Sequence, residues 1–155
     1  MSFEKLEVRR REVVIVEFGK GYDGAGLLSS IKESRIYDGI DWSKQNIQDR
    51  SRTTAELLTF EINRSAYFEE VIKSVRHQFP LLKRSPAELG LCLLKRFPRR
   101  SWEPPWVLSH EPISNPKKQF PHISVLSGSR LSGARTEGGS QFHKDCLFVF
   151  VGSWE

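Results

Sequence analysis

Residues 54–79 read TAELLTFEINRSAYFEEVIKSVRHQF, and the hydrophobic period changes halfway along them. From Thr54 to Ile62 the chain alternates: Leu58, Phe60 and Ile62 share one side, while Leu57, Thr59 and Glu61 share the other. A two-residue period predicts a strand. Beyond it, Phe68, Val71, Ile72, Val75 and Phe79 recur at the spacing of one helix face. This predicts an amphipathic helix over Ala66–Gln78, with Ser65 as its N-cap and Pro80 as its stop.

The flanking segments extend the pattern. Arg11–Phe18 is dominated by Val and Ile on both faces and reads as a central strand. Gly19–Gly26 reads as a glycine-rich turn, Leu27–Glu33 as a short helix and Arg35–Arg52 as a long polar connection. Downstream, Ser85-Pro86-Ala87-Glu88 combines a cap, a first-turn proline and a Glu three residues after the Ser. The helix it starts is expected to reach Arg96, with Leu89, Cys92, Leu93 and Phe97 on one face and Pro98 beyond its end. Trp106–Ser109, His122–Leu126, Arg130–Arg135 and Cys146–Val151 read as strands, with a hairpin turn at Ser127-Gly128-Ser129. Together these predict a single α+β domain over residues 1–155, its mixed or antiparallel sheet packed against two central amphipathic helices. The expected core includes Phe68, Val71, Ile72, Val75, Leu89, Leu93, Leu147 and Val149.

Composition narrows the class. The 155 residues are 38% hydrophobic and 28% charged. The longest apolar runs, Val13–Val16 and Cys146–Val151, fall far short of the ~20 residues of a membrane span. The first residues lack the apolar stretch of a secretory signal, so a cytoplasmic setting is expected. Cys92 and Cys146 sit among apolar neighbours and are expected to be reduced, packed thiols.

Charge is distributed unevenly. Residues 1–75 carry 12 Lys and Arg against 13 Asp and Glu, an acidic-neutral half of net −1. Residues 76–155 carry 12 against 6, a basic half of net +6. A field of that sign attracts polyanions. Its cations cluster at Lys83-Arg84, Lys95-Arg96, Arg99-Arg100 and Lys117-Lys118, interleaved with Phe97, Trp102 and Phe120. Cations release counterions from a phosphate backbone, and exposed rings stack on unpaired bases.

Four other constellations carry chemistry in principle. Gly19–Gly26 contains G-x-G-x-x-G after a strand, the shape of a dinucleotide-binding turn, with Asp38 or Asp41 as ribose ligand; no alternating β-α series follows. His122-Ile123-Ser124 matches half of a two-histidine phosphoesterase signature, with His143 as partner, but the motif does not recur. His143-Lys144-Asp145-Cys146 offers two metal ligands in a His-x-x-Cys spacing, where zinc needs three or four. Asp38 or Asp41 with Glu61-Ile62-Asn63 approaches a metal-dependent nuclease pattern, with Asn63 where a lysine belongs.

None of these is complete, so no catalytic residue, cofactor or metal is assigned. The leading expectation is a non-enzymatic nucleic-acid-binding module, or a subunit of a larger nucleoprotein assembly. It contacts phosphates through Lys83, Arg84, Lys95, Arg96, Arg99, Arg100, Lys117 and Lys118, with Trp102 as a stacking ring. RNA or single strands are favoured over duplex. The alternatives are an enzyme acting on phosphodiesters or nucleotides, and a protein-interaction subunit whose partner is an acidic protein surface.

Overall fold

Leu147–Trp154 (β7) is the strand around which the sheet assembles. Its first five residues, Leu147 to Val151, are all buried, as a strand covered on both faces requires. The computed structural model describes residues 4–22, 50–86, 89–96, 103–113, 121–128, 130–136 and 141–154. Within them, Val8–Tyr22 (β1) and Arg50–Ile62 (β2) form a long antiparallel ladder, and β2 pairs antiparallel with β7. On its other side β7 pairs parallel with Trp106–Leu108 (β4) and antiparallel with the two-residue Lys83–Arg84 (β3). His122–Ser127 (β5) and Arg130–Arg135 (β6) complete one seven-stranded mixed sheet, ordered β1-β2-β7-β4-β5-β6. Ser127 pairs with Arg130, so two residues make the turn, and Gly128 enters it at φ 58°, where glycine alone is unstrained.

Among the described residues two helices cover the sheet, Phe68–Gln78 (α1) and Leu89–Arg96 (α2). Both pack on the sheet, as expected, and they lie on its opposite faces. α1 packs Phe68, Val71, Ile72 and Val75 against Phe60, Phe148 and Phe150. α2 packs with Leu57, Leu108, Leu126, Val149 and Val151. Yet α2 is not amphipathic in its described part, because Leu89 through Leu94 are buried without a break. A helix apolar all round is one that the rest of the chain encloses. Gly90 allows its close approach to β6, since a Cβ there would stand 3.0 Å from a Leu131 methyl. All eight expected core residues are buried.

Several boundaries differ from the expected ones. α1 begins after Tyr67, not after Ser65, because Ala66 is still extended and exchanges backbone hydrogen bonds with Phe142. The Tyr67 N–H then donates to the Glu70 carboxylate at 3.1 Å, which caps the first turn. α2 is described from Leu89, Ala87 and Glu88 lying outside the described residues, and the Ser85 N–H donates to Ser109 Oγ at 2.9 Å. β1 runs through Gly19, Lys20, Gly21 and Tyr22, and β2 takes in Arg50–Arg52. The pairs Lys20↔Arg52 and Tyr22↔Arg50 hold these ends together, so ladder bonding overrides the weak strand preference of glycine. The expected short helix at Leu27–Glu33, and the connection before Arg50, lie outside the described residues.

Candidate nucleic-acid interface

Arg84 shows how the fold uses a cation. β3 lies against the edge of β7 at Val151 and Phe150, so Lys83 and Arg84 project to opposite faces of the sheet. Lys83 is exposed. The Arg84 side chain is only 14% exposed and turns to the α1 side, its guanidinium 5.7 Å from the centre of the Phe68 ring. Its Nε donates to Ser109 O at 2.7 Å, Nη2 to His110 O at 3.2 Å and Nη1 to Glu111 Oε1 at 2.9 Å. One residue thus ties α1, β3 and the chain leaving β4, through donors that suit a forked guanidinium.

The same residue lines an open groove of about 590 Å³ with Glu69, Glu70, Ile72, Lys73 and Arg76. Lys73 and Arg76 are exposed on the outer side of α1. Glu70 is held by the Arg64 guanidinium at 3.1 Å and by the Tyr67 N–H, and the backbone bond is the main reason its pKa falls below the ordinary value. Its charge is countered by Arg64 and that of Arg84 by Glu111, which leaves Glu69, Lys73 and Arg76 as the exposed charges along the groove. Sequence reasoning missed Lys73 and Arg76 as site residues. Their i,i+3 spacing on the polar side of α1, shortly before Lys83-Arg84, was the available signal.

Of the remaining expected contacts, Lys95 and Arg96 occupy the last turn of α2. Arg99, Arg100, Trp102, Lys117 and Lys118 lie outside the described residues.

The histidines do not assemble as the phosphoesterase pattern required. His122 alternates with Ile123, which belongs to the α1-side core, so the imidazole turns to the α2 side. It is buried there with Nδ1 unpartnered. His143 is exposed in a turn whose Phe142 and Cys146 pack on the α1 side, and its Nδ1 lies 3.1 Å from Asp145 Oδ2.

Ser124 instead meets His110, a contact that sequence reasoning did not find. Nε2 of His110 lies 2.8 Å from Ser124 Oγ and accepts the Ser124 N–H at 2.9 Å. A backbone N–H only donates, so Nε2 is unprotonated and the ring proton sits on Nδ1, which donates to Glu111 O at 2.7 Å. Burial, with a smaller contribution from nearby Arg84, pushes this imidazole down to about 4. A Ser–His contact of this length resembles an activated nucleophile. Here Ser124 is fully buried and its own N–H shares the single lone pair, so the contact locks β5 to the end of β4.

The other two patterns are spent on structure as well. Glu61 accepts from Arg9 Nε at 2.7 Å, and Asn63 bonds Lys5 O and the Glu7 N–H, each at 2.8 Å. Both thereby anchor the approach to β1. Asp38 and Asp41 lie outside the described residues. In the glycine run the strand continues through Tyr22 and pairs antiparallel with β2, so G-x-G-x-x-G does not follow a strand as the cofactor turn demands. Among the described residues no three His, Cys, Asp or Glu side chains converge as metal ligands. Cys92 is buried in the α2-side core and Cys146 packs on the α1 side, where burial pushes its thiol up; no disulfide joins them. Among the described residues no helix is long and apolar enough to cross a membrane.

No protein-family model matches the chain, and neither a curated protein nor a solved structure matches it.

Proposed function

We propose that the chain is a non-enzymatic module that binds nucleic acid by its phosphate backbone, alone or as a subunit of a nucleoprotein complex. The observation that carries this reading is charge. Residues 76–155 have net +6, and Lys73, Arg76 and Arg84 line one open groove beside the first of these clusters. Lys83, Lys95, Arg96, Arg99, Arg100, Lys117 and Lys118 supply further phosphate contacts, and Trp102 supplies a stacking ring. Interleaved aromatic residues favour RNA or another single strand, in a cytoplasmic setting. Against an enzyme stands the burial of Ser124 and His110 and the commitment of Glu61 to Arg9.

The test is a titration of labelled single-stranded RNA over a range of salt concentrations. Log affinity is expected to fall linearly with log salt, with a slope of about 0.7 per phosphate contacted. Replacing Arg99 and Arg100 together by Ala is expected to weaken all sequences alike and to shallow that slope, because phosphate contacts carry no base information. Replacing Trp102 by Ala is expected to weaken binding by about 1–3 kcal/mol while the thermal melt stays in place. A chain that shows no salt-sensitive binding at low ionic strength is no nucleic-acid binder; its basic half is then a solvated surface or a docking site for an acidic protein.

A further inference from the structure

β1 changes character along its length. It is a terminal strand of the sheet, and its outer edge pairs with no other described strand. Exposed strand edges invite pairing with another chain, and natural proteins blunt them with charge, bulges or shortness. The first part of β1 is blunted in this way: Arg9, Arg10 and Arg11 are exposed, and the register shifts between Arg10 and Glu12. The next part is not. Val13 to Val16 are four successive β-branched residues, and Val13 and Ile15 are 46% and 61% exposed on the side where α1 packs. Such residues stabilise a pleated strand that has a neighbour.

The sequence of this stretch is complementary to itself. Across a two-fold axis perpendicular to the sheet, paired residues must lie on the same face, so the axis has to pass through a residue. With the axis at Val14, Val13 stands across from Ile15 of the second copy, and Ile15 across from Val13. The same register brings the arginine run ending at Arg11 up to Glu17, opposite in charge. Sliding by one pleat puts Ile15 across from Arg11, or Val13 across from Glu17. Only the axis at Val14 gives both Val13 and Ile15 an exposed apolar partner.

We infer that β1 is a homodimerisation edge: a second copy of this chain pairs antiparallel with it about a two-fold axis at Val14. The dimer is one continuous sheet, and because the axis is perpendicular to it, both α1 helices lie on the same side. The contact is short and of the weak class, so association depends on concentration in the micromolar range.

The experiment is sedimentation velocity on the full chain across that range. The chain is expected to shift from monomer to dimer as concentration rises. Ile15→Lys changes an exposed side chain and is expected to leave the thermal melt in place while raising the dissociation constant tenfold or more. Register is read by cysteine cross-linking under mild oxidation, with the unaltered chain as background. Val14→Cys, on the axis, is expected to bridge to its own copy. Val13→Cys is expected to bridge only when mixed with Ile15→Cys. A chain that stays monomeric throughout, a dimer indifferent to Ile15→Lys, or a Val13→Cys variant that bridges to itself overturns the proposal.

Discussion

The two faces of the sheet are built to different ends. On the α2 side the core is aliphatic apart from Trp106, drawn from Leu57, Leu91, Leu93, Leu94, Leu108, Val149 and Val151, and the helix is enclosed over Leu89–Leu94. On the α1 side it is aromatic: Phe60 meets Phe79 and Phe150 at 5.2 and 5.6 Å between ring centres, and Phe142 meets Phe148 and Phe68 at 5.7 and 6.2 Å. There the helix keeps an outer surface that carries Glu69, Lys73 and Arg76. From Leu89 to Leu94 the enclosed helix has no free face, whereas a half-exposed helix on large interlocking rings presents charge from a rigid base. The α1 side is thus the one on which the exposed charges of the proposed interface stand.

Core truncation is the strongest way to break this comparison. Phe148→Ala is expected to cost about 3–5 kcal/mol and Leu93→Ala about 2–5 kcal/mol in denaturant unfolding, since both side chains are buried. A cost near zero for Leu93→Ala would make α2 an accessory layer and leave the sheet one-sided. The buried polar contact on the α2 side sets the next test. The His110 imidazole is held down to about 4, below its ordinary 6.5, so between these values the unfolded chain binds the extra proton. Its contribution is fully present above pH 6.5 and is lost as pH falls toward 4, by up to about 3 kcal/mol. Unfolding measured across that window should show the slope, and His110→Gln should flatten it. The smallest effect on stability sharpens the contrast most. Lys73→Ala with Arg76→Ala is expected to stay within about 0.5 kcal/mol per site, as exposed changes do. The same pair should weaken single-stranded RNA binding and lower its salt slope by about 0.7 per lost contact.

Much of the fold was legible because burial imposes a period. The helical spacing from Phe68 to Phe79 reports one face turned inward, and Thr54–Ile62 is the strand its alternation predicts, although both its faces are covered, Leu58, Phe60 and Ile62 on the α1 side and Ala55 and Leu57 on the α2 side. β3 was not legible: Lys83–Arg84 is two charged residues long, and only the free edge of β7 makes it a strand. The start of α1 was misread because Ala66 is drawn into a bridge with Phe142, a partner 76 positions away. The candidate site divides in the same way. The basic clusters are local in sequence and could be read directly. The His110–Ser124 contact and the clamp made by Arg84 join residues 14 to 27 positions apart, and no local pattern announces them.

The position of β7 at the middle of the sheet sets an order of events during synthesis. β2 and β4 share no neighbour until residues 147–154 arrive, because β7 is what both of them pair with. Before that point the chain holds two separate pieces, the β1–β2 ladder and the β4–β5–β6 meander, each with an open edge. Long-range strand pairing of this kind is slow, and unpaired edges are exposed to wrong partners while it is pending. Assembly of the sheet therefore waits on β7, and the interval before that strand emerges is when a chaperone would matter most to it.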